Sequence, residues 1–410
     1  MKKNKITLAF FLFACVLASS QTSNSVSLGS GYVNQSFYSL ENGETGNINN
    51  ENWDLAFSIE AMSYSIRIND GKGVELYNYT AGDTSDWNLI NSSTLSSLTN
   101  PIYNSENSWS DGAFNIYEDG MYDLGWGVYS MITHHVTGDS LYIIRTLNGQ
   151  WKKLWIEKLA GGTYNFLHAN IDGSNEISQS INKNNYPGKK FIYYSLDNNI
   201  IEDREPLSNN WDITFTKYIA LDMSMPYSVT GVLHNTDIEV AEAAQITNPL
   251  TYNNYSAHSF SSEINTIGYN WKYYDFSQGY VLSNDLCYFI KDMNNDIYRI
   301  VFTEFEGTSS GNISFNTELI NSTSIIDNNN KLNSFSIYPN PAINQTKVIV
   351  DAKNTGELTI FDIRGKEISN SIIERGLKTY DIDVHSFNKG VYIVSVTIDG
   401  VSKKEKLIIQ

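Results

Sequence analysis

Cysteine is nearly absent from this chain of 410 residues, which contains Cys15 and Cys287 alone. Cys15 lies in an N-terminal segment that we expect to be removed, so one cysteine would remain and no intrachain disulfide could form. Stability must then come from a hydrophobic core. Sustained 3.6-residue amphipathicity is also lacking, so the sequence does not predict long amphipathic helices.

Basic residues are scarce as well. The chain has 28 Lys and Arg against 45 Asp and Glu, a net charge of −17. Loss of Lys2, Lys3 and Lys5 with the N-terminal segment leaves 25 against 45, or −20. This balance argues against binding to nucleic acid or to an anionic membrane through general electrostatics. Solubility outside the cell is a sufficient explanation for the acidity.

One apolar run, Ile6 to Ala18, follows the N-terminal lysines. Its thirteen residues are too few to span a bilayer, which needs about 20. With Ser19, Ser20 and Gln21 after it, the run predicts a signal peptide over residues 1–20. Leu12-Phe13-Ala14-Cys15 leaves a lipoprotein box as the alternative. We expect no transmembrane segment after it.

The segment from Phe335 to Gln410 begins with Tyr338-Pro339-Asn340-Pro341-Ala342 and ends with a lysine-rich apolar strand. It resembles the C-terminal sorting domain, type A, of the Bacteroidota type IX secretion system. The resemblance implies contact with that machinery, export across the outer membrane, removal of the tail, and attachment to the surface or release. The matching motif residues are Tyr338, Pro339, Asn340, Pro341, Gly390, Tyr392 and Lys406.

Short β-branched runs separated by turns predict a small immunoglobulin-like antiparallel β-sandwich over residues 335–410. An immunoglobulin-like appendage without a sorting role is the alternative. Residues 323–334 are mostly polar and include three consecutive asparagines, Asn328 to Asn330. We interpret them as a flexible linker.

The body of the chain contains an internal duplication. Tyr38-Ser39-Leu40 leads to Trp53-Asp54, and Tyr194-Ser195-Leu196 leads to Trp211-Asp212. Asp139 to Ile156 aligns without a gap on Asp285 to Phe302, and both stretches predict a β-hairpin. The sequence therefore predicts two related antiparallel β units, residues 21–180 and 181–322, in an all-β protein.

The first unit resembles the HmuY family of haem-binding proteins of Bacteroidota. The resemblance lies in Trp53 to Phe57, in the stretch from Trp126 to His134, and in the hairpin from Tyr142 to Leu154. It implies an all-β protein that holds haem between two axial side chains. Thr133-His134 matches the Thr-His element of the family, whereas the second unit places Tyr280 and Val281 at the positions of His134 and His135.

Haem ligation needs a nitrogen or sulfur donor within an apolar slot. The candidate ligands are His134, His135, His168 and Met131. Adjacent residues of a strand face opposite sides, so only one of the two neighbouring histidines could enter a given pocket. Both could instead be turn or edge residues with local hydrogen bonds.

The sequence offers two hypotheses about function. The first is a secreted or surface ligand-binding protein, with haem as the candidate cofactor. The second is a structural or adhesive surface protein that retains the fold without haem. We do not expect an enzyme, because no Gly-x-Ser-x-Gly elbow, His-Glu-x-x-His motif or phosphate loop is present. Asp292 to Asp296 has alternating oxygen ligands but lacks the glycine and distal glutamate of a calcium loop, so we predict a turn there.

Overall fold

A computed structural model describes residues 21–222, 225–322, 332–352, 354–398 and 401–410. The predicted signal peptide and residues 323–331 of the predicted linker lie outside these ranges. The prediction of an all-β fold is confirmed, since the described residues form antiparallel sheets joined by turns and short 3₁₀ helices. The chain divides into two bodies near residue 323, which are described separately.

The strands of the body are numbered in chain order. They are β1 Thr22–Ser27, β2 Asn34–Ser39, β3 Gly43–Asn49, β4 Leu55–Ser58, β5 Ile66–Ile68, β6 Glu75–Asn78, β7 Gly127–Tyr129, β8 Val136–Gly138, β9 Leu141–Arg145, β10 Trp151–Ala160, β11 Thr163–Asn170, β12 Ile177–Asn182, β13 Phe191–Ser195, β14 Ile200–Glu202, β15 Ile213–Asp222, β16 Met225–His234, β17 Glu239–Ala243, β18 Lys272–Asp275, β19 Gly279–Leu282, β20 Cys287–Lys291, β21 Ile297–Phe305 and β22 Asn312–Asn321.

Short 3₁₀ helices connect many of these strands. They are Ser30–Tyr32, Asp70–Lys72, Thr84–Leu89, Ser92–Ser97, Ala113–Asn115, Lys183–Asn185, Ser208–Asn210, Pro249–Thr251, Tyr255–Ala257 and Gly307–Ser309. The two that span six residues begin with side-chain caps from Asp83 and Asn91. Such caps satisfy backbone amides that the first turn leaves without partners.

The body contains two lobes, each made of two sheets around one core. The inner lobe is β4 to β14, and it packs the sheet β14-β13-β4-β5 against a sheet that contains the path β12-β11-β10-β9-β6. Phe57, Phe166 and Tyr194 lie in its core. The outer lobe packs the sheet β3-β2-β15-β16 against β1-β22-β21-β20-β17. Phe215 and Phe315 stack in its core at 5.3 Å between ring centroids.

The two lobes do not coincide with the two sequence repeats. Strands from the start of each repeat pair with later strands of the other repeat: β1 pairs with β22, β2 with β15 and β13 with β4. The predicted boundary between 180 and 181 therefore does not separate two folded units. The inner lobe is one continuous stretch, whereas the outer lobe is completed by the N-terminal strands β1 to β3.

The repeated motifs explain this exchange. The Asp54 amide donates to the Tyr194 carbonyl and Asp54 Oδ2 accepts from the Leu196 amide, at 2.9 and 2.7 Å. The Asp212 amide and Oδ2 make the same two bonds, at the same distances, with Tyr38 and Leu40. Each Trp-Asp motif thus holds the Tyr-Ser-Leu motif of the other repeat.

Both predicted hairpins are present. β9 pairs with β10 around Gly149, and β20 pairs with β21 around Asn295, and each of these turn residues has a positive φ. In the second hairpin, Asp292 Oδ1 accepts from the amides of Asn294 and Asp296. The carboxylate of Asp292 therefore closes the predicted turn.

The C-terminal body consists of seven further strands. They are β23 Leu332–Tyr338, β24 Gln345–Ala352, β25 Gly356–Asp362, β26 Glu367–Ile373, β27 Gly376–Asp383, β28 Gly390–Ile398 and β29 Val401–Ile409. The sheets β23-β24-β27 and β26-β25-β28-β29 enclose one core, as the predicted sandwich requires. The strand β23 begins at Leu332, so the last three residues of the predicted linker, 332–334, belong to the sandwich.

Candidate functional site

An aromatic cleft opens on the outer lobe beside the β18–β19 hairpin. Its volume is about 750 Å³. We call this the aromatic cleft, and its lining is Tyr32, Lys217, Tyr227, Ser228, Val229, Thr230, Tyr269, Asn270, Lys272, Tyr273, Tyr274, Phe276, Tyr280, Phe305 and Thr308. A pocket of this size with aromatic walls and a few polar groups is typical of a ligand-binding site.

Five large aromatic side chains of the cleft are exposed, namely Tyr227, Tyr273, Tyr274, Phe276 and Tyr280, whereas Tyr32 and Phe305 are buried. Phe276, at the tip of the hairpin, is 99% exposed, and Tyr274 is 58% exposed. Tyr274 and Tyr280 pack edge to face at 5.2 Å, and Tyr280 packs on Phe305 at 4.7 Å. The pleated hairpin places these rings because Tyr274 and Tyr280 are directly opposite each other in the β18–β19 register. Neighbouring aromatic residues thus support one another while part of each ring remains open to solvent.

Two lysines contribute the charge of the cleft. Lys272 is buried, its Nζ donates 2.5 Å to the Thr230 carbonyl, and it lies 4.2 Å from the centroid of the Trp271 ring. Burial lowers the pKa of Lys272 to about 7. Lys217 is partly buried, and burial followed by the like charge of Lys72 lowers its pKa. Both ammonium groups would therefore gain from a negatively charged neighbour.

The lining of the aromatic cleft, as the described residues define it, includes no Asp or Glu. A second cleft in the body, of about 600 Å³, is lined by four carboxylates and one lysine. They are Asp237, Glu239, Glu263, Asp292 and Lys291. The aromatic cleft is therefore locally cationic on a chain that is strongly acidic.

The predicted haem ligands of the first unit lie in a different place. Met131, His134 and His135 share the loop of the β7–β8 hairpin, which precedes β9 in the chain as β18–β19 precedes β20. His134 is exposed, has φ of 54°, and its Nδ1 is 2.8 Å from the Tyr129 hydroxyl. Met131 is 60% exposed. His134 is therefore a turn residue with a local hydrogen bond, which is the alternative to haem ligation given above.

His168 is not brought together with that loop. It lies on β11 in the core of the inner lobe, where it is fully buried and packs against Phe166. Its Nε2 is 3.2 Å from the Tyr194 hydroxyl. Burial, with a smaller effect from Lys152, lowers the pKa of His168 to about 4. The histidine is therefore neutral at pH 7, and its contacts are those of a core residue.

Sequence reasoning missed the aromatic cleft, although a local signal existed. Trp271 to Phe276 has four aromatic residues in six positions without apolar-polar alternation. Such a run cannot place all its rings in one core, because successive side chains of a strand alternate between faces. Tyr280, which aligned with His134, is part of the cleft. The remaining residues come from distant strands and could not be collected from spacing.

The motif residues of the tail are brought together at its last strand. Asn340 Nδ2 donates 2.6 Å to the Lys406 carbonyl, and Asn340 Oδ1 accepts 2.9 Å from the Ile408 amide. Tyr338 and Pro339 precede this contact, and the Pro341–Ala342 pair follows it, with Ala342 bridged to Ile409. Gly390 begins β28, and the Tyr392 hydroxyl donates 3.0 Å to the Asn388 carbonyl. Asn340 thus joins the start of the sandwich to its last strand.

No helix in the described ranges is both long and apolar enough to cross a membrane. Within the same ranges, no group of three or more His, Cys, Asp or Glu side chains is arranged to hold a metal ion.

The comparisons with known proteins identify the tail. Residues 336–410 match the family described as "Secretion system C-terminal sorting domain". No curated protein matches the chain. Among solved structures, one described as "Biofilm associated protein - BSP domain" aligns with 97% of this chain and 67% of its own, at 10% identity and a TM-score of 0.17. That similarity is too low to support an argument about fold or function.

Proposed function

We propose that the body of this chain acts at the cell surface as a non-catalytic ligand-binding or adhesive protein, with the aromatic cleft as its binding site. The sorting tail indicates export to that surface through type IX secretion. The observation that supports this most directly is the group of exposed rings around the β18–β19 hairpin. Rings held open to water lose the stabilisation of burial, so a partner that covers them offsets that cost.

The exposed rings belong to a rigid frame, which suits binding rather than a moving loop. Lys272 anchors the hairpin to the Thr230 carbonyl of β16, and Tyr280 packs on Phe305 of β21. A site held on strands loses little conformational entropy when a ligand is bound. The proposed activity is therefore recognition, and no catalytic group is assigned to it.

An array of immobilised glycans and extracellular-matrix proteins tests the proposal. We expect the chain from Gln21 onward to bind a subset of the array. A Tyr274→Ser/Phe276→Ser variant should lose most of that binding, because both rings are exposed and contribute little to the core. Tyr117→Ser/Met121→Ser, which changes two exposed apolar side chains of the inner lobe, is the matched control and should bind normally. An array without any binding would refute the proposal.

Haem binding remains a second prediction, implied by the HmuY resemblance of the first unit. The observation that favours it is that Met131, His134 and His135 share one exposed loop with Tyr129 nearby. We infer that haem, if it binds, uses this loop and not the buried His168. A haemin titration should then give a shifted Soret band that His134→Ala/His135→Ala removes. An unshifted band would exclude haem as the ligand.

A further inference from the structure

The charge of the aromatic cleft narrows the chemical class of its ligand, given the function proposed above. Lys217 and Lys272 line the cleft, while none of its described lining residues carries a carboxylate. A cleft lined by randomly chosen residues of this chain would be expected to be negatively charged, because the chain has 45 acidic and 28 basic residues. A local excess of positive charge on an acidic protein indicates an anionic partner.

Lys217 gives the stronger support for an anionic ligand. Among the described residues Lys217 has no ion pair within 4.0 Å. It also lines a neighbouring cleft that contains Glu51, Asp70 and Glu75. Burial, followed by the like charge of Lys72, lowers the pKa of Lys217. Lys72 has its own carboxylate, Glu51, at 2.6 Å. A partly buried ammonium beside another ammonium is unfavourable unless an anion joins them. An anionic group in the cleft would supply the missing partner.

Lys272 provides hydrogen-bond donors at the same site. Its ammonium group has three N–H donors, and the Thr230 carbonyl accepts from one of them. The rings of Trp271 and Phe305 lie 4.2 and 4.7 Å from Nζ and exclude water from one side. Low water content strengthens a charge-assisted hydrogen bond.

The other walls of the cleft match a sugar ring. The negative face of an aromatic ring attracts the positively polarised C–H bonds of a pyranose, and exposed Tyr274 and Tyr280 offer such rings. Hydroxyl and amide side chains of Ser228, Asn270 and Thr308 also line the cleft and can bond sugar hydroxyls. Aromatic, polar and cationic groups are thus present together.

We propose that the aromatic cleft binds an acidic glycan, with a uronic or sialic acid ring packed against the tyrosines and its carboxylate paired with Lys217 and Lys272. Single-stranded nucleic acid also combines stacking with negative charge. It carries a charge at every nucleotide, however, and the acidic body would repel a polyanion that extends beyond two lysines. A glycan with its carboxylate on a single ring or on alternate rings pairs with the two ammonium groups and extends less charge over the acidic body.

Isothermal titration calorimetry with the chain from Gln21 onward tests the assignment. The probes are hexagalacturonate, hyaluronan hexasaccharide, mannuronate hexamer and sialyllactose, each beside its methyl ester. Maltohexaose and a ten-residue oligothymidylate complete the set. We expect at least one acid to bind, and its neutral ester to bind about tenfold more weakly, because esterification removes the charge-assisted bonds. The ester keeps the sugar ring, so the comparison isolates the charge.

Variants assign the effect to the cleft. Lys217→Met should weaken the acid about tenfold and leave the ester unchanged, whereas Lys217→Arg should retain most of the affinity. Lys389→Met, at an exposed lysine of the tail, is the matched control and should have no effect. If Lys217→Met does not fold, the comparison of each acid with its ester on the unchanged chain still tests the role of charge.

Three outcomes would overturn this inference. Equal binding of acid and ester, or binding of maltohexaose alone, would leave a neutral glycan site and preserve the proposed function. Binding of oligothymidylate alone would assign the cleft to nucleic acid. The absence of binding by every probe would remove the acidic glycan, while the proposed function would still be judged by the array.

Discussion

The carboxylate of Asp54 accepts a 2.7 Å hydrogen bond from the backbone amide of Leu196, which belongs to the other sequence repeat. This bond joins two motifs that are 142 positions apart in the chain. Because the equivalent bond from Leu40 to Asp212 runs in the opposite direction, neither repeat is complete without the other. The duplicated sequence therefore encodes one interlocked body.

The boundaries of the inner lobe predict which fragments fold. A fragment of residues 52–203 contains β4 to β14 with both sheets of that lobe, so it should unfold cooperatively in urea. A fragment of residues 21–180 follows the sequence repeat but lacks β13, the partner of β4. This fragment should not unfold cooperatively. Circular dichroism during urea titration distinguishes them. Cooperative unfolding of 21–180 together with a disordered 52–203 would contradict the exchange of strands.

Asp54→Ala should destabilise the body more than Asp212→Ala. Asp54 accepts from the amides of both Leu147 and Leu196, whereas Asp212 is bonded to the Leu40 amide. Each buried amide left without a partner costs about 1–3 kcal/mol. The free energy of unfolding should therefore fall by about 2–6 kcal/mol for Asp54→Ala and about 1–3 kcal/mol for Asp212→Ala.

Urea titrations of both variants measure these losses. Asp119→Ala, at an exposed aspartate, is the control and should change the free energy of unfolding by less than about 0.5 kcal/mol. If the two buried aspartates behaved like Asp119, the interlocking role of the Trp-Asp motif would be wrong.

Asp212 also predicts a pH dependence. Burial raises the pKa of Asp212 from 3.8 to about 6, so the native state holds this proton at a pH where the unfolded chain has released it. The proton-linked stabilisation is fully present below pH 4 and is lost as pH rises through 6. Between pH 4 and pH 7, wild type should lose roughly 3 kcal/mol relative to Asp212→Asn.

The comparison with Asp212→Asn is needed because other groups titrate in the same window. The lowered pKa of His168 gives a contribution of opposite sign, which is common to both proteins and cancels in the difference. Urea titrations at pH 4, 5, 6 and 7 measure that difference. A constant difference across the four values would show that Asp212 titrates as an exposed aspartate.

The sequence predicted the local elements well and their partners poorly. Asn148-Gly149 and Asp292 to Asp296 determine their hairpins through backbone geometry within a few residues, so both were recognised. The choice between Leu40 and Leu196 as the partner of Asp54 has no such local signal, because the two Tyr-Ser-Leu motifs offer the same amide. Only the connection from Asn49 to Leu55, which carries the chain from one lobe into the other, decides it.

The site shows the same division between local and distant information. The tail motif could be recognised from the sequence because Tyr338 to Ala342 combines aromatic, proline and asparagine residues in consecutive positions. The aromatic cleft combines Tyr32, Lys217 and Phe305, which are separated by more than 80 positions at each step. Their proximity follows from the pairing of strands across the repeats. The histidines were candidate ligands because histidine is rare in this chain and can bind iron. His168, however, is a buried core residue.

Cys287 should be unreactive in the native protein. It is fully buried, and burial raises the pKa of its thiol to about 11. Because the thiolate is the nucleophile, both effects slow alkylation. We expect Ellman's reagent at pH 8 to modify the chain from Gln21 onward only after denaturation, with one thiol per chain. Rapid modification of the folded protein would contradict the burial of this residue.

Asn340 should be required for display at the cell surface. Its side-chain amide holds the last strand through the Lys406 carbonyl and the Ile408 amide, at 2.6 and 2.9 Å. Asn340→Ala removes both exposed bonds and should destabilise the tail by about 1 kcal/mol, because a strand at a sheet edge then loses its side-chain anchor. Antibody labelling of intact producing cells should fall, while the total amount in lysates changes little. Asn370→Ala, at an exposed asparagine of β26, is the control. Equal labelling of Asn340→Ala and wild type would show that the sorting machinery does not depend on a docked final strand.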